Sequence, residues 1–137
     1  MPHDPAKVAE CRAWLDRAWA DLDSAAILLG PTRPRPDTAL FHCQQAAEKA
    51  WKAFLCWYDV PFRKTHNLRE LGEACAALDS SLRPLAERAE DLTQFAWLFR
   101  YPGDLEEPTP AEAEEALALA REVYDAVLAR LPRETWP

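Results

Sequence analysis

The chain has 137 residues, a formal net charge of −7 and 3 glycines. This length fits one domain with a real core, and the abundance of Ala, Leu, Glu and Arg over β-branched residues favours helices over sheet. The acidic balance argues against a protein that coats nucleic acid without specificity. We therefore expect a single all-α domain spanning residues 1–137.

Charge is spread unevenly along the chain. Between Arg33 and Arg69 there are seven Lys or Arg and three Asp or Glu, whereas Glu70 to Glu115 contains twelve acidic and three basic residues. One region is therefore suited to attract an anion, and the other to repel it or to accept a basic partner.

Targeting signals and metal motifs are not apparent. The segment Met1–Pro5 has no apolar stretch of the kind found in a signal peptide, and no apolar run approaches the roughly 18 residues that span a membrane. We expect a cytoplasmic protein with no membrane segment and no cofactor. The cysteines lack the close pairing of a zinc site, so we expect no metal and interpret them as small core residues: Cys11, Cys43, Cys56 and Cys75.

The first two helices are predicted from apolar spacing and from turn residues. The first extends from about Pro5 to Leu29 and ends at Gly30-Pro31. The second follows a stiff, proline-rich connection, with Asp37 as its predicted cap, and continues to about Tyr58.

Two further helices follow a basic loop. A short third helix is predicted from a cap at Asn67 through Leu78. The fourth is predicted to start at Ser80 or Ser81 and to continue to Arg100-Tyr101, before the break at Pro102-Gly103.

The fifth helix has the clearest start signal. Thr109-Pro110-Ala111-Glu112 is typical of a capping box with proline at the first helical position, and apolar spacing extends the helix to about Leu131. Without an internal repeat or a domain-splitting linker, these helices predict an antiparallel up-down bundle with a four-helix core and a short extra helix.

The second helix carries polar residues inside its apolar arc. At 100° per residue, Gln44 and Glu48 fall among Phe41, Trp51 and Leu55. Buried amides and carboxylates are costly unless paired. We therefore expect both side chains to be satisfied inside the bundle or across a dimer interface, with Glu48 orienting Arg100 or a ligand as the alternative.

The opposite face of the second helix is basic. Gln45, Lys49 and Lys52 share it with His42. A nucleotide phosphate fits such a face, and ordinary solvation is the alternative interpretation.

The tryptophans indicate a second surface. Trp14 and Trp19 are five residues apart, which rotates a helix by about 140°, so they cannot both face one core stripe. At least one is expected to meet another surface, as in a dimer interface.

Three motifs together carry a family resemblance. The run HCQQAAEKAWKA at residues 42–53, KTHNL at 64–68 and RYP at 100–102 resembles the HEPN domain family over essentially the whole chain. The resemblance implies a helical bundle that commonly pairs as a homodimer. It also implies a frequent genetic neighbour, a minimal nucleotidyltransferase, with which such proteins form toxin–antitoxin or nucleotide-sensing pairs.

Several HEPN branches are metal-independent ribonucleases, and their signature is incomplete here. That signature is an Arg followed, after four to six residues, by a His, contributed from both subunits. Arg100 is the Arg nearest the expected position, and no His follows it. Arg35 and His42 have the spacing, with six residues between them, but they flank a proline-rich start of the second helix, and we interpret them as chance.

Candidate site residues remain in two loops. Arg100 and Tyr101 suit phosphate binding and base stacking, or else a helix C-terminal charge with an aromatic packed beneath it. His66 suits an anion contact or proton transfer, or else a hydrogen bond that orients Asn67. Three acidic residues follow in the next loop and could hold a metal beside Arg100, but we favour the interpretation that the loop is simply solvated: Asp104, Glu106 and Glu107.

The resemblance and these residues predict a nucleotide-binding or interaction module that partners a minimal nucleotidyltransferase in a toxin–antitoxin-like pair. One alternative is a metal-independent ribonuclease toxin with Arg100 as transition-state stabiliser and Tyr101 or His66 as proton donor. Another is a purely protein-binding helical scaffold.

Overall fold

The computed structural model describes residues 2–103 and 106–137, and this part of the chain is helical, with no strand. The predicted all-α helical bundle is confirmed. Its helices are α1 Pro5–Leu28, α2 Pro36–Trp57, α3 Leu68–Leu78, α4 Arg83–Ala89 and α5 Pro110–Leu128. Three 3₁₀ segments accompany them: Ser80–Leu82, Glu90–Ala96 and Arg133–Thr135.

Side-chain caps fix the start of three helices. Asp4 accepts from the backbone N–H of Ala6 at 3.0 Å in α1. As predicted, the Asn67 side chain caps α3, and Thr109 Oγ1 accepts from the N–H of Glu112 at 3.1 Å in α5. Each cap satisfies amide donors that have no partner within the helix.

The prediction that Asp37 caps the second helix is wrong. Arg35 occupies the cap position of α2 without a side-chain cap bond, and Pro36 is the first helical residue. Proline is favoured there because its ring fixes φ and it has no N–H to satisfy. Asp37 instead lies in the first turn, where its carboxylate accepts from the Arg35 guanidinium at 3.1 and 3.3 Å.

The prediction of one continuous fourth helix to Arg100-Tyr101 is also wrong. The segment is a 3₁₀ turn, the short helix α4 and a second 3₁₀ segment that ends at Ala96. Phe99 then adopts a φ of 65°, a left-handed conformation that a helix cannot accommodate. The chain therefore changes direction just before Arg100.

The core is organised around α2, which packs against α1, α3, α5 and the 3₁₀ segment Glu90–Ala96. Three large apolar side chains of α2 are fully buried: Trp51, Phe54 and Leu55. Gly72 allows α3 to approach α4 closely, since a Cβ there would lie 3.0 Å from the Cβ of Ala86. Because α2 packs against several other elements, polar groups on it meet partners from several directions.

The tryptophans of α1 face different environments, as the helical rotation requires. Trp14 packs against the core, with its ring centroid 6.0 Å from that of Phe62. Trp19 is 51% exposed. The dimer interface inferred from this divergence stays a prediction.

The four cysteines are free thiols, three of them buried: Cys11, Cys43 and Cys75. Burial raises the pKa of the Cys43 thiol to about 12, which keeps it protonated. Across the described ranges, no helix combines the length and the apolarity needed to cross a membrane.

Candidate functional site: the polar face of helix α2

The Glu48 network, formed by Gln44, Gln45, Glu48, Lys52 and His66, lies where α2 meets the loop before α3. Glu48 is 4% exposed. Its Oε1 accepts from Gln44 Nε2 at 3.1 Å and from His66 Nδ1 at 2.7 Å, and its Oε2 accepts from Lys52 Nζ at 2.9 Å. Burial acts to raise the pKa of Glu48, but the bonds from Lys52, His66 and Gln44 outweigh it and hold the pKa below its ordinary value.

Gln44 joins the network to the backbone. Its Nε2 also donates to the carbonyl oxygen of His66 at 3.1 Å, and its Oε1 accepts from Gln45 Nε2 at 2.6 Å. Gln44 is fully buried. The partners of Gln44 and Glu48 therefore come from this same chain, from α2 and the loop at His66.

The sequence predicted that Lys52 lies on a face open to solvent or to an anion, but the structure buries this side chain. It is 7% exposed, and its ammonium lies 5.5 Å from the centroid of the Trp14 ring and 5.7 Å from that of Phe62. The loop that carries Phe62 covers it, which rotation along α2 alone does not reveal. A phosphate would have to displace Glu48 to reach this ammonium.

A second cluster links α1 to α2. Asp21 is 8% exposed and accepts from His42 Nδ1 at 2.8 Å and from Lys49 Nζ at 2.6 Å. Lys49 is therefore neutralised by a partly buried carboxylate. Asp21 is not among the site residues predicted from the sequence, although it stands three residues after Ala18, within the apolar stripe of α1.

The Arg100 groove is a depression of about 350 Å³ between the start of α2 and the turn that carries Phe99. The Arg100 guanidinium lies 4.6 Å from the centroid of the Phe41 ring. Its Nη1 donates to the carbonyl oxygen of Ala96 at 3.1 Å, which matches the interpretation of Arg100 as a charge at the end of a helical segment. The groove is lined by Arg35, Asp37, Thr38, Phe41, His42, Phe99 and Arg100.

An adjoining depression of about 270 Å³ extends from Asp37 and Arg100 to Tyr101 and Glu107. Tyr101 is 76% exposed, so its phenol ring is open to solvent and does not pack beneath Arg100. Aromatic and guanidinium surfaces thus lie side by side around both depressions.

The structure brings together only part of the predicted set. Arg100 and Tyr101 lie at the two connected depressions, and Arg35 and His42, whose sequence spacing we had interpreted as chance, both line the Arg100 groove. His66 belongs to the Glu48 network. Among the described residues, the partners of Glu48 do not include Arg100.

The acidic loop is only partly described. Asp104 lies outside the described residues, whereas Glu106 is exposed and Glu107 borders the depression beside Arg100. Within residues 2–103 and 106–137, no group of three His, Cys, Asp or Glu side chains is arranged to hold a metal ion.

Comparison with known proteins identifies the class. The model of the HEPN domain family matches residues 11–131, which is most of the chain, and the protein belongs to this family. No curated protein and no solved structure matches it significantly. Family membership supports a role in nucleotide- or RNA-related binding or in protein interaction.

Proposed function

We propose that this HEPN protein is a nucleotide-binding module that holds its ligand in the Arg100 groove. The observation that carries the proposal is the arrangement of Arg100, Arg35 and His42 around one depression, beside the ring of Phe41. One guanidinium group can donate two parallel hydrogen bonds to phosphate oxygens. An aromatic ring offers a surface on which a base stacks. The exposed Tyr101 supplies a second such surface.

The helix start adds to the positive character of the groove. Arg35 is at the cap position of α2, where the first backbone N–H groups point outward and favour an anion. In the free protein, the carboxylate of Asp37, and not an external anion, pairs with Arg35. A nucleotide phosphate would compete with this carboxylate for Arg35.

Lys49 and Lys52 contribute less to the proposed site than the sequence suggested. Both ammonium groups are paired with carboxylates, Lys49 with Asp21 and Lys52 with Glu48. Gln45 is engaged with Gln44. We assign these residues to holding α2 in place rather than to direct ligand contact.

The test is a calorimetric titration of the purified protein with ATP and with a short single-stranded RNA. Arg100→Ala is expected to weaken binding about tenfold or more, because one charged hydrogen-bonding partner is lost. Arg88→Ala, which removes an exposed arginine paired with Glu122, is the matched control and should leave the affinity unchanged. Equal affinity of the Arg100→Ala and wild-type proteins would refute the proposal.

One observation favours ribonuclease activity as a second candidate function. Asp21 binds Nδ1 of His42, which leaves Nε2 of the ring to act at the groove that also contains Arg100. His42 Nε2 would take the 2′-hydroxyl proton as the 2′-oxygen attacks phosphorus, and the 5′-oxygen would leave with a proton from water. Arg100 would stabilise the charge that develops on the phosphoryl oxygens.

This second candidate is tested by incubating single-stranded RNA with the protein in the presence of a metal chelator. Cleavage that yields a 2′,3′-cyclic phosphate, and that disappears in His42→Ala, is the expected result. His66→Ala tests the other imidazole, which lies in the Glu48 network. Intact RNA after prolonged incubation would exclude cleavage and would leave the binding proposal standing.

We further propose that the protein is a cytoplasmic homodimer and pairs with a minimal nucleotidyltransferase in a toxin–antitoxin-like system. The support is the family membership together with the three motifs that carry it. The gene neighbourhood and co-purification with the adjacent gene product test the pairing. Gel filtration with light scattering tests the dimer, and a complex that forms without any nucleotide binding would favour a purely protein-binding scaffold.

A further inference from the structure

A third surface depression, the Trp19 groove, lies between α1 and α5 and involves none of the residues assigned to nucleotide binding. Its volume is about 510 Å³. Two tryptophans border it, Trp19 at 51% and Trp136 at 37% exposure. The lining residues are Asp16, Trp19, Tyr124, Asp125, Leu128, Trp136 and Pro137.

One aromatic wall of the groove, Trp136, is held in place by hydrogen bonds. Trp136 Nε1 donates to the carbonyl oxygen of Leu128 at 3.0 Å and to that of Leu131 at 3.3 Å. Trp19 is part of the long helix α1. Rigid aromatic side chains bind a partner with little loss of conformational freedom.

Apart from the two indoles, every polar side chain that lines the groove can accept a hydrogen bond. Asp16 and Asp125 form no ion pair or side-chain hydrogen bond with the described residues. Tyr124 is 5% exposed, and its phenol likewise has no hydrogen-bond partner in the described part of the chain. The phenol oxygen is not among the buried unpartnered atoms of the described residues, so it is accessible to a donor from the groove.

Burial and the two nearby carboxylates change the pKa of this phenol. Burial together with the negative charges of Asp125 and Asp16 raises the pKa of Tyr124 to about 12. The phenol therefore stays neutral and can still accept a hydrogen bond. A ligand that brings positive charge and N–H donors would satisfy all three groups at once.

We infer that the Trp19 groove binds a basic segment of a partner protein, with an Arg or Lys side chain seated between Trp19 and Trp136. Tryptophan faces attract guanidinium and ammonium groups. The Arg133 guanidinium of this chain already lies 5.5 Å from the centroid of the Trp136 ring, so the incoming cation uses the Trp19 ring and the side of Trp136 that borders the groove. The carboxylates of Asp16 and Asp125 neutralise the charge, and the Tyr124 oxygen accepts an N–H.

The shape favours a chain segment over a free small cation. A further depression of about 180 Å³ continues on the other side of Trp19, lined by Leu22, Asp23, Ala26 and Arg121 together with Tyr124 and Asp125. The combined surface follows α1 and α5 for several residues and carries three carboxylates against one guanidinium. Its length and its net negative charge suit a basic, amphipathic segment.

A second copy of this chain fits the groove poorly. A two-fold interface places the same patch on both subunits against itself. Asp16 and Asp125 of one copy would then approach the same carboxylates of the other, and like charges in a contact are strongly disfavoured. The occupant is therefore a different protein.

The experiment uses the whole protein and two synthetic helical peptides of about 14 residues. One carries Leu and Arg at helical spacing, and the other has Gln in place of every Arg. The Arg peptide is expected to bind and to change the tryptophan fluorescence, with weaker binding at high salt, whereas the Gln peptide should bind about tenfold more weakly or not at all.

Three variants locate the site. Trp19→Ala and the double variant Asp16→Asn with Asp125→Asn should each weaken Arg-peptide binding about tenfold. Trp97→Ala, which removes another exposed tryptophan, at 56% exposure, is the matched control and should bind as the wild type does. Circular dichroism and unchanged ATP titrations show that the variants remain folded and that the Arg100 groove is intact.

Three results would overturn the inference. The first is no binding of the Arg peptide up to about 1 mM. The second is equal binding of the Arg and Gln peptides, which would indicate a merely apolar surface. The third is a dimer that Trp19→Ala dissociates without affecting peptide binding, which would assign the groove to a second copy.

Discussion

The carboxylate of Asp21 accepts a hydrogen bond from Nδ1 of His42 at 2.8 Å, across the contact between α1 and α2. The same carboxylate holds Lys49 at 2.6 Å. One buried group on α1 thus fixes both the ring that lines the Arg100 groove and an ammonium about two turns further along α2.

Asp21→Ala is expected to lower the free energy of unfolding by about 1–3 kcal/mol, because His42 and Lys49 each lose a partner in a partly buried position. Urea unfolding at neutral pH measures this effect. Asp23→Ala is the control, since Asp23 is exposed on the same helix and makes no ion pair with a described residue. An equal loss in both variants would show that the Asp21 contacts contribute nothing specific.

Glu48→Ala is expected to cost about 3–5 kcal/mol, because it leaves the buried ammonium of Lys52 without a counter-charge. The double variant Glu48→Leu with Lys52→Met should recover most of this loss, since an apolar pair needs no desolvation of charges. Chemical denaturation of both variants checks the prediction. A double variant as unstable as Glu48→Ala would place the cost in packing and not in the unpaired charge.

Acid should destabilise the protein partly through Glu48. Burial acts to raise the pKa of Glu48 in the folded chain, but the hydrogen bonds from Lys52, His66 and Gln44 lower it below its ordinary value. Below the ordinary value of 4.5 the unfolded chain binds the proton more readily, so the contribution of Glu48 is full above that pH and is lost as pH falls through the lowered pKa. Thermal unfolding from pH 3 to 7 should therefore show a smaller acid-induced decrease in Glu48→Gln than in the wild type. Glu70→Gln, an exposed carboxylate paired with Arg63, should keep the wild-type profile.

Asp37→Asn should strengthen nucleotide binding by roughly two- to fivefold, because it removes the carboxylate that occupies Arg35 in the free protein. Titration with ATP at low ionic strength measures the change, and added salt should reduce it. Asp59→Asn serves as the control, since Asp59 pairs with Lys7 outside the Arg100 groove. Weaker binding by Asp37→Asn would mean that the carboxylate supports the ligand and does not compete with it.

The helices were predictable because their signals are local. Apolar spacing and the caps at Asn67 and Thr109 depend on residues a few positions apart, and their predicted positions are confirmed. The fourth helix was not predicted correctly, because its 3₁₀ geometry and the turn at Phe99 depend on packing that apolar spacing does not encode. Local propensity is overridden where a segment must fit its neighbours.

Sequence motifs and apolar spacing are sufficient to identify a helical HEPN domain and to predict that Gln44 and Glu48 lie inside the apolar arc of α2. The groups that satisfy these two side chains, and the directions of the basic side chains, depend on how distant segments pack. Rotation along one helix fixes the angle of a side chain but not the element that covers it. The loop over Lys52 and the carboxylate of Asp21, 28 residues before Lys49, come from distant parts of the chain. For the same reason, the sequence did not predict that His42 lies at the same groove as Arg100, because this groove forms only when α2 and the turn at Phe99 pack together.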